Sequence, residues 1–218
     1  MNDPHAHAVH SAPGGLAGAH PAAGAAILPG FADAPVDSQT VFRTLLDALA
    51  HPGRIYALDV QSGVPAGLSP AMTAALLTLV DIDAPLWLPA GASADMARFL
   101  RFHCSSRIME KPDMATFVAV PAGSAMPALT DCDPGDPAYP DRSATLLIEV
   151  ESLETGAPLR LAGPGIKDVQ MLRPQGLPGD FLAQWKANTL RFPLGVDVIL
   201  TQGRLVCGLP RTCRIVEA

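Results

Sequence analysis

The residues able to carry chemistry are few, and they are scattered along the chain. His103 continues the apolar helical face of Met96, Phe99 and Leu100. It is either a structural histidine beside a helix C-terminus or part of a ligand site. Asp197 interrupts the apolar run Val196–Leu200 just after Gly195, although strand alternation alone would turn it outward. Asp81 and Asp83 bracket a junction between a helix and a strand, where aspartate commonly builds turns. Arg211 follows Pro210 at a strand end, either exposed or placed to grip a phosphate or a partner's carboxylate. A nucleotide- or small-ligand-binding enzyme built on His103, Asp81 and Arg211 requires these three to converge in one pocket.

No familiar reaction template assembles from them by spacing. Gly163-Pro164-Gly165 resembles the start of a dinucleotide loop, but Asp168 stands where its third glycine belongs, and Pro-Gly also suits a type II turn. GxxxxGK[ST], HExxH and GxSxG are all absent from the sequence. Of the three lysines, Lys111, Lys167 and Lys186, only Lys167, after the glycine turn, is a plausible Schiff-base candidate. Cys104, Cys132, Cys207 and Cys213 form no CxxC pair, so zinc and thioredoxin-like chemistry lose their usual support and free thiols are expected. Histidines 5, 7, 10 and 20 lie in an Ala/Gly/Pro-rich stretch without fixed geometry.

The balance of residues narrows the class. Apolar residues make up 49% of the 218 and charged ones 17%, with a net charge of −6. An acidic chain without a Lys/Arg run argues against nucleic acid. The apolar runs are far shorter than the ~20 residues of a membrane span, and the N-terminus does not read as a secretory signal. A cytoplasmic protein without membrane contact is expected.

Positioning elements can be read from caps and periodicity. Residues 1–27 are expected as a disordered tail and residues 28–218 as a single α/β domain. Asp37 or Ser38 caps a first helix with an apolar face of Val41, Leu45 and Leu49 flanked by Phe42 and Leu46, stopped by His51-Pro52-Gly53. A strand over Arg54–Val60 follows, then a helix opened by Ser69-Pro70 and a short strand at Pro85–Pro89. Ser93 opens the third helix, Ala115–Val120 reads as a buried strand, and Asp131–Asp141 as an irregular acidic loop. Strands are expected at Ala144–Val150, Pro158–Leu161 and Val169–Leu172, and a helix at Pro178–Leu190. A hairpin of Val196–Thr201 and Arg204–Leu209 turns at Gln202-Gly203, and Thr212–Val216 adds an edge. Helices alternating with strands, then a strand-dense second half, predict a mixed β-sheet flanked by helices.

The ordered segments carry more than any one motif. They are Leu28-Pro-Gly-Phe31, Asp37-Ser-Gln-Thr-Val-Phe-Arg43, His51-Pro-Gly-Arg-Ile55, and Leu76 to Leu88 with Asp81-Ile-Asp83 inside. Leu100-Arg-Phe-His103, Leu161-Ala-Gly-Pro-Gly-Ile166, Phe192 to Leu200 and Leu209-Pro-Arg-Thr212 complete the series. In this order they resemble the H subunit of the bacterial carbon–phosphorus lyase system, the PhnH family, over about Leu28–Val216. Ala84 and Cys104 depart from that pattern, where a threonine and a small hydroxyl residue are usual. The resemblance implies a fold similar to the large domain of pyridoxal-phosphate-dependent transferases, but without the cofactor and its lysine. It implies a homodimer that joins the G, I and J subunits in a core complex. That complex supports formation of α-D-ribose 1-methylphosphonate 5-triphosphate from a nucleoside triphosphate and a phosphonate. The subunit is then structural rather than catalytic on its own, and carbon–phosphorus cleavage falls to an iron–sulfur step in the J subunit. The family offers no catalytic motif to transfer, so Asp81, Asp83, His103, Asp197 and Arg211 stand as candidates for a ligand cleft or a partner surface.

Overall fold

The computed structural model describes residues 26–216; the expected tail therefore lies outside them except for Ala26 and Ile27. Ile27 already packs, half-buried, against the core.

The first helix, α1 (Ala34–Ala50), is capped by Asp33, four residues before the nearer of the expected caps, Asp37 and Ser38. Asp33 accepts the Val36 amide, while the Asp37 carboxylate accepts the Asp33 amide at 3.1 Å. The two aspartates thus satisfy amides that the helix start leaves open. The helix buries Val41, Leu45 and Ala48. Phe42 and Leu46, the other apolar stripe, face outward. At the far end His51 and Gly53 (φ +80°) stop the helix as expected.

Strand β1 (Ile55–Ala57) is shorter than predicted. Ser69 caps α2 (Pro70–Leu79), accepting the Met72 amide at 3.1 Å. Strand β2 (Leu86–Trp87), then α3 (Ala94–Cys104) capped by Ser93, lead into β3 (Ile108–Met109), a two-residue strand missing from the sequence reading. β4 (Phe117–Val120), β5 (Thr145–Glu149), β6 (Leu159–Ala162) and β7 (Gln170–Leu172) follow. After them come α4 (Phe181–Thr189), β8 (Asp197–Gln202), β9 (Leu205–Leu209) and β10 (Arg214–Val216).

Seven strands form a mixed sheet in the order β1-β9-β8-β5-β4-β2-β3. The β3, β2, β4, β5 and β8 strands run parallel, β9 pairs antiparallel with β8, and β1 pairs antiparallel with β9. The hairpin turns at Gly203-Arg204, because Gln202 pairs with Leu205. That is one residue later than the predicted Gln202-Gly203. The predicted edge strand β10 belongs to a separate antiparallel sheet, β10-β6-β7.

Alternation along the strands divides the core in two. Ala119, Leu147 and Ile199 meet α1, α2 and α3 on one face. Leu146, Ile148, Val198 and Leu200 meet α4 and the small sheet on the other. Glycine permits the closest approaches. A Cβ on Gly208 would lie 2.5 Å from the Ala48 carbonyl, so β9 meets α1 backbone to backbone. Gly165 (φ +80°) lies tighter still, its Cβ position 2.0 Å from the Ala50 carbonyl. The Gly163-Pro164-Gly165 segment is therefore a packing turn over the end of α1, and Lys167 beyond it is exposed.

Candidate functional site

Asp197 and Arg211, singled out separately in the sequence, form one unit. β8 and β9 are in a register that sets Val198 opposite Leu209, which brings Asp197 beside the Pro210-Arg211 turn. Arg211 Nη2 reaches Asp197 Oδ2 at 2.6 Å, and Arg211 Nε reaches Oδ1 at 3.2 Å. Its backbone amide also donates to Oδ1 at 2.7 Å. Nη1 donates to the carbonyls of Pro140 (2.8 Å) and Pro193 (3.3 Å), and Nη2 also reaches the Ser143 hydroxyl. A guanidinium offers five N–H donors, and all five are engaged inside this chain. The side chains of Arg211 and Asp197 are only 11% and 22% exposed. This bidentate pair ties the acidic loop to the start of β8 and to the β9–β10 turn.

A second unit lies at the opposite end of the parallel strands, where the sequence reading proposed nothing. Glu149, the last residue of β5, accepts from the Ser69 hydroxyl at 2.6 Å, from Thr201 Oγ1 and from the Gly203 amide at 3.1 Å. Ser69 is also the cap of α2. One carboxylate thus fastens a helix start to the β8–β9 hairpin. Asn188, buried in α4, holds Val196 by both its amide and its carbonyl at 2.9 Å. No local motif marks either residue, since the partners of Glu149 lie 52–80 residues away.

The other candidates fall elsewhere. His103 Nε2 lies 2.8 Å from the Leu28 carbonyl, and its ring packs against Phe99 and Phe102. A Cβ on Gly30 would come within 2.9 Å of His103 Nδ1, so the Leu28-Pro-Gly-Phe segment crosses directly over this imidazole. Asp81 accepts the amides of Asp83 and Ala84, both at 2.8 Å, and makes an Asx-type turn before β2. The Asp83 side chain is exposed. No hydrogen bond or ion pair among the described residues joins His103 or Asp81 to Arg211. Two concavities, of about 970 and 280 Å³, include none of the five candidates in their walls.

All four thiols are buried and favour the protonated form. Burial, and next the nearby Asp81, push Cys104 up to about 11. Burial is likewise the first cause that raises Cys213 to about 11 and Cys132 and Cys207 to about 12. A nucleophilic cysteine needs the reverse. Among the described residues no group of three or more His, Cys, Asp or Glu is placed to hold a metal ion.

The Asp197–Arg211 pair and the His103–Leu28 contact each join two of the segments that carried the family resemblance, and comparison with known proteins agrees with it. Residues 29–216 match the family described as bacterial phosphonate metabolism protein (PhnH). The chain belongs to this family. Among PhnH relatives, it is 41% identical over 186 residues to the alpha-D-ribose 1-methylphosphonate 5-triphosphate synthase subunit PhnH of Rhizobium meliloti (strain 1021). That match covers 85% of this chain and 93% of the relative. It is 34% identical over 178 residues to HtxG of Stutzerimonas stutzeri, by its name a candidate C-P lyase subunit protein, covering 81% and 85% of the two chains. The family places this chain in phosphonate metabolism.

Proposed function

We propose that this chain is an assembly subunit of a carbon–phosphorus lyase complex, without catalysis of its own. Its complex would support formation of α-D-ribose 1-methylphosphonate 5-triphosphate from a nucleoside triphosphate and a phosphonate. The name of the Rhizobium meliloti relative supports that reaction, and the name of the Stutzerimonas stutzeri relative supports the C–P lyase setting. The observation that carries the structural role is the engagement of Arg211. A guanidinium available to phosphate must have donors to offer, and here each one already holds Asp197, Ser143 or a loop carbonyl.

In this reading the chain acts in the cytoplasm as a single-domain homodimer and joins the G, I and J subunits. It has the layout of the large domain of pyridoxal-phosphate enzymes and binds no pyridoxal phosphate. Lys186 and Lys167 are both exposed, whereas a Schiff-base lysine is activated by desolvation or by a neighbouring cation.

The test is affinity purification of the tagged protein from cells grown on a phosphonate as sole phosphorus source. Co-elution of the G, I and J subunits, resistant to buffer changes, is the expected result. Failure of the folded protein to associate at several salt concentrations would overturn the proposal.

A further inference from the structure

The larger concavity, about 970 Å³, runs between α4 and β10. It lies on the face of the main sheet away from α1, α2 and α3. Its walls include Leu182, Ala183, Leu190 and Ile215, above the buried Trp185. Leu190 is 79% exposed, and Phe192 just beyond it is also exposed. Leu182 is exposed as well, and three apolar side chains left in water within one short segment mark a face that a partner covers.

Charge narrows the partner. Lys186 and Arg214 line the same groove, and neither forms an ion pair among the described residues. In a chain of net charge −6, this face therefore offers positive charge beside its apolar floor. The groove is open and shows no buried, convergent polar side chains of the kind that orient a small ligand. A membrane surface would call for a denser basic cluster than two side chains. Apolar walls edged by cations fit a protein segment whose apolar side chains are flanked by carboxylates.

We infer that the groove between α4 and β10 docks an acidic, apolar segment of another subunit of the complex, with Leu190 as its apolar anchor and Lys186 and Arg214 as its charge contacts. This rests on the assembly reading above and assigns it a surface. A long anchor buried at the centre of an interface carries far more binding energy than rim charges, so the two kinds of contact separate experimentally.

The test uses the full-length chain and a co-expressed G–I–J subassembly, with the dissociation constant measured at low and high salt. Leu190→Asp is expected to weaken binding at least about tenfold. Lys186→Glu with Arg214→Glu should weaken it roughly two- to fivefold at low salt and flatten the salt dependence. Met114→Asp, an exposed apolar position just before β4 and away from the groove, should leave affinity unchanged. All these side chains are exposed, and matching melting curves verify folding. A photo-crosslinker at position 186 should attach to a partner segment containing Asp or Glu.

If the parent chain binds and the groove variants bind equally well, the groove assignment fails while the assembly reading stands. A crosslink to a second copy of this chain, or to a segment without carboxylates, also overturns the assignment. If the parent chain itself does not bind the subassembly, the assembly reading falls first and takes the groove partner with it.

Discussion

The two ends of the parallel strands are fastened by different chemistry. At the start of β8 a guanidinium is paired with a carboxylate, and its remaining donors hold two carbonyls and a hydroxyl. At the end of β5 a lone carboxylate, Glu149, is held by neutral donors only. Breaking the first leaves an uncompensated charge largely out of water. Breaking the second removes charge-assisted hydrogen bonds but strands no opposite charge. The first should therefore be the more costly to lose, although both do the same work of tying loops to the sheet.

Arg211→Ala should have the largest effect, about 3–5 kcal/mol, because Asp197 loses its partner. Thermal unfolding should show a fall in Tm on the order of 10 °C, and limited proteolysis should cut first within residues 131–143. Equal losses for Arg211→Ala and Glu149→Gln would erase the distinction between the two ends. Glu149→Gln should cost about 1.5–3 kcal/mol by chemical denaturation, the range for hydrogen bonds to a charged group. Ser69→Ala removes both the α2 cap and one donor to Glu149, and should cost about 1–2 kcal/mol. Thr201→Val removes a donor alone and should cost about 1 kcal/mol.

The thiols give a pH test that separates the two faces. Cys104 lies in the helical face of the core, and Cys132, Cys207 and Cys213 in the other. Their folded pKa values, about 11 to 12, exceed the ordinary value of 9.0. The stability they lend is thus complete below pH 9 and is lost as pH rises toward 11–12, since the unfolded chain ionises first. The loss is smallest near neutrality and grows above pH 9. Replacing Cys207 with Ala should blunt the alkaline loss measured by urea unfolding at pH 8 and pH 10, and native thiols should react slowly with a disulfide reagent at pH 8.

What could be read from the sequence followed local chemistry. Ser69-Pro70, Ser93 and His51-Pro52-Gly53 mark helix ends because caps and breakers act within a few residues. The start of α1 is not legible locally, since Asp37 has the form of a cap but is the reciprocal partner of Asp33. Choosing between the stripes Val41/Leu45 and Phe42/Leu46 depends on where β9 lies, which no window of sequence contains. The hairpin shows how a small error hides a site. A turn at Gln202-Gly203 would set Asp197 opposite Gly208, whereas the observed register sets it opposite Pro210, beside Arg211. Glu149 was invisible because its partners come from α2 and β8.

The central claim is that this chain contributes architecture to its complex and no reacting group. It is tested most directly by turnover per assembled complex. A triple variant, Asp81→Asn, Asp83→Asn and His103→Gln, would be incorporated with the G, I and J subunits, and incorporation measured alongside formation of the ribosyl triphosphate product. The account predicts that turnover per incorporated subunit matches the parent. A variant that is folded and fully incorporated, yet inactive, would contradict it.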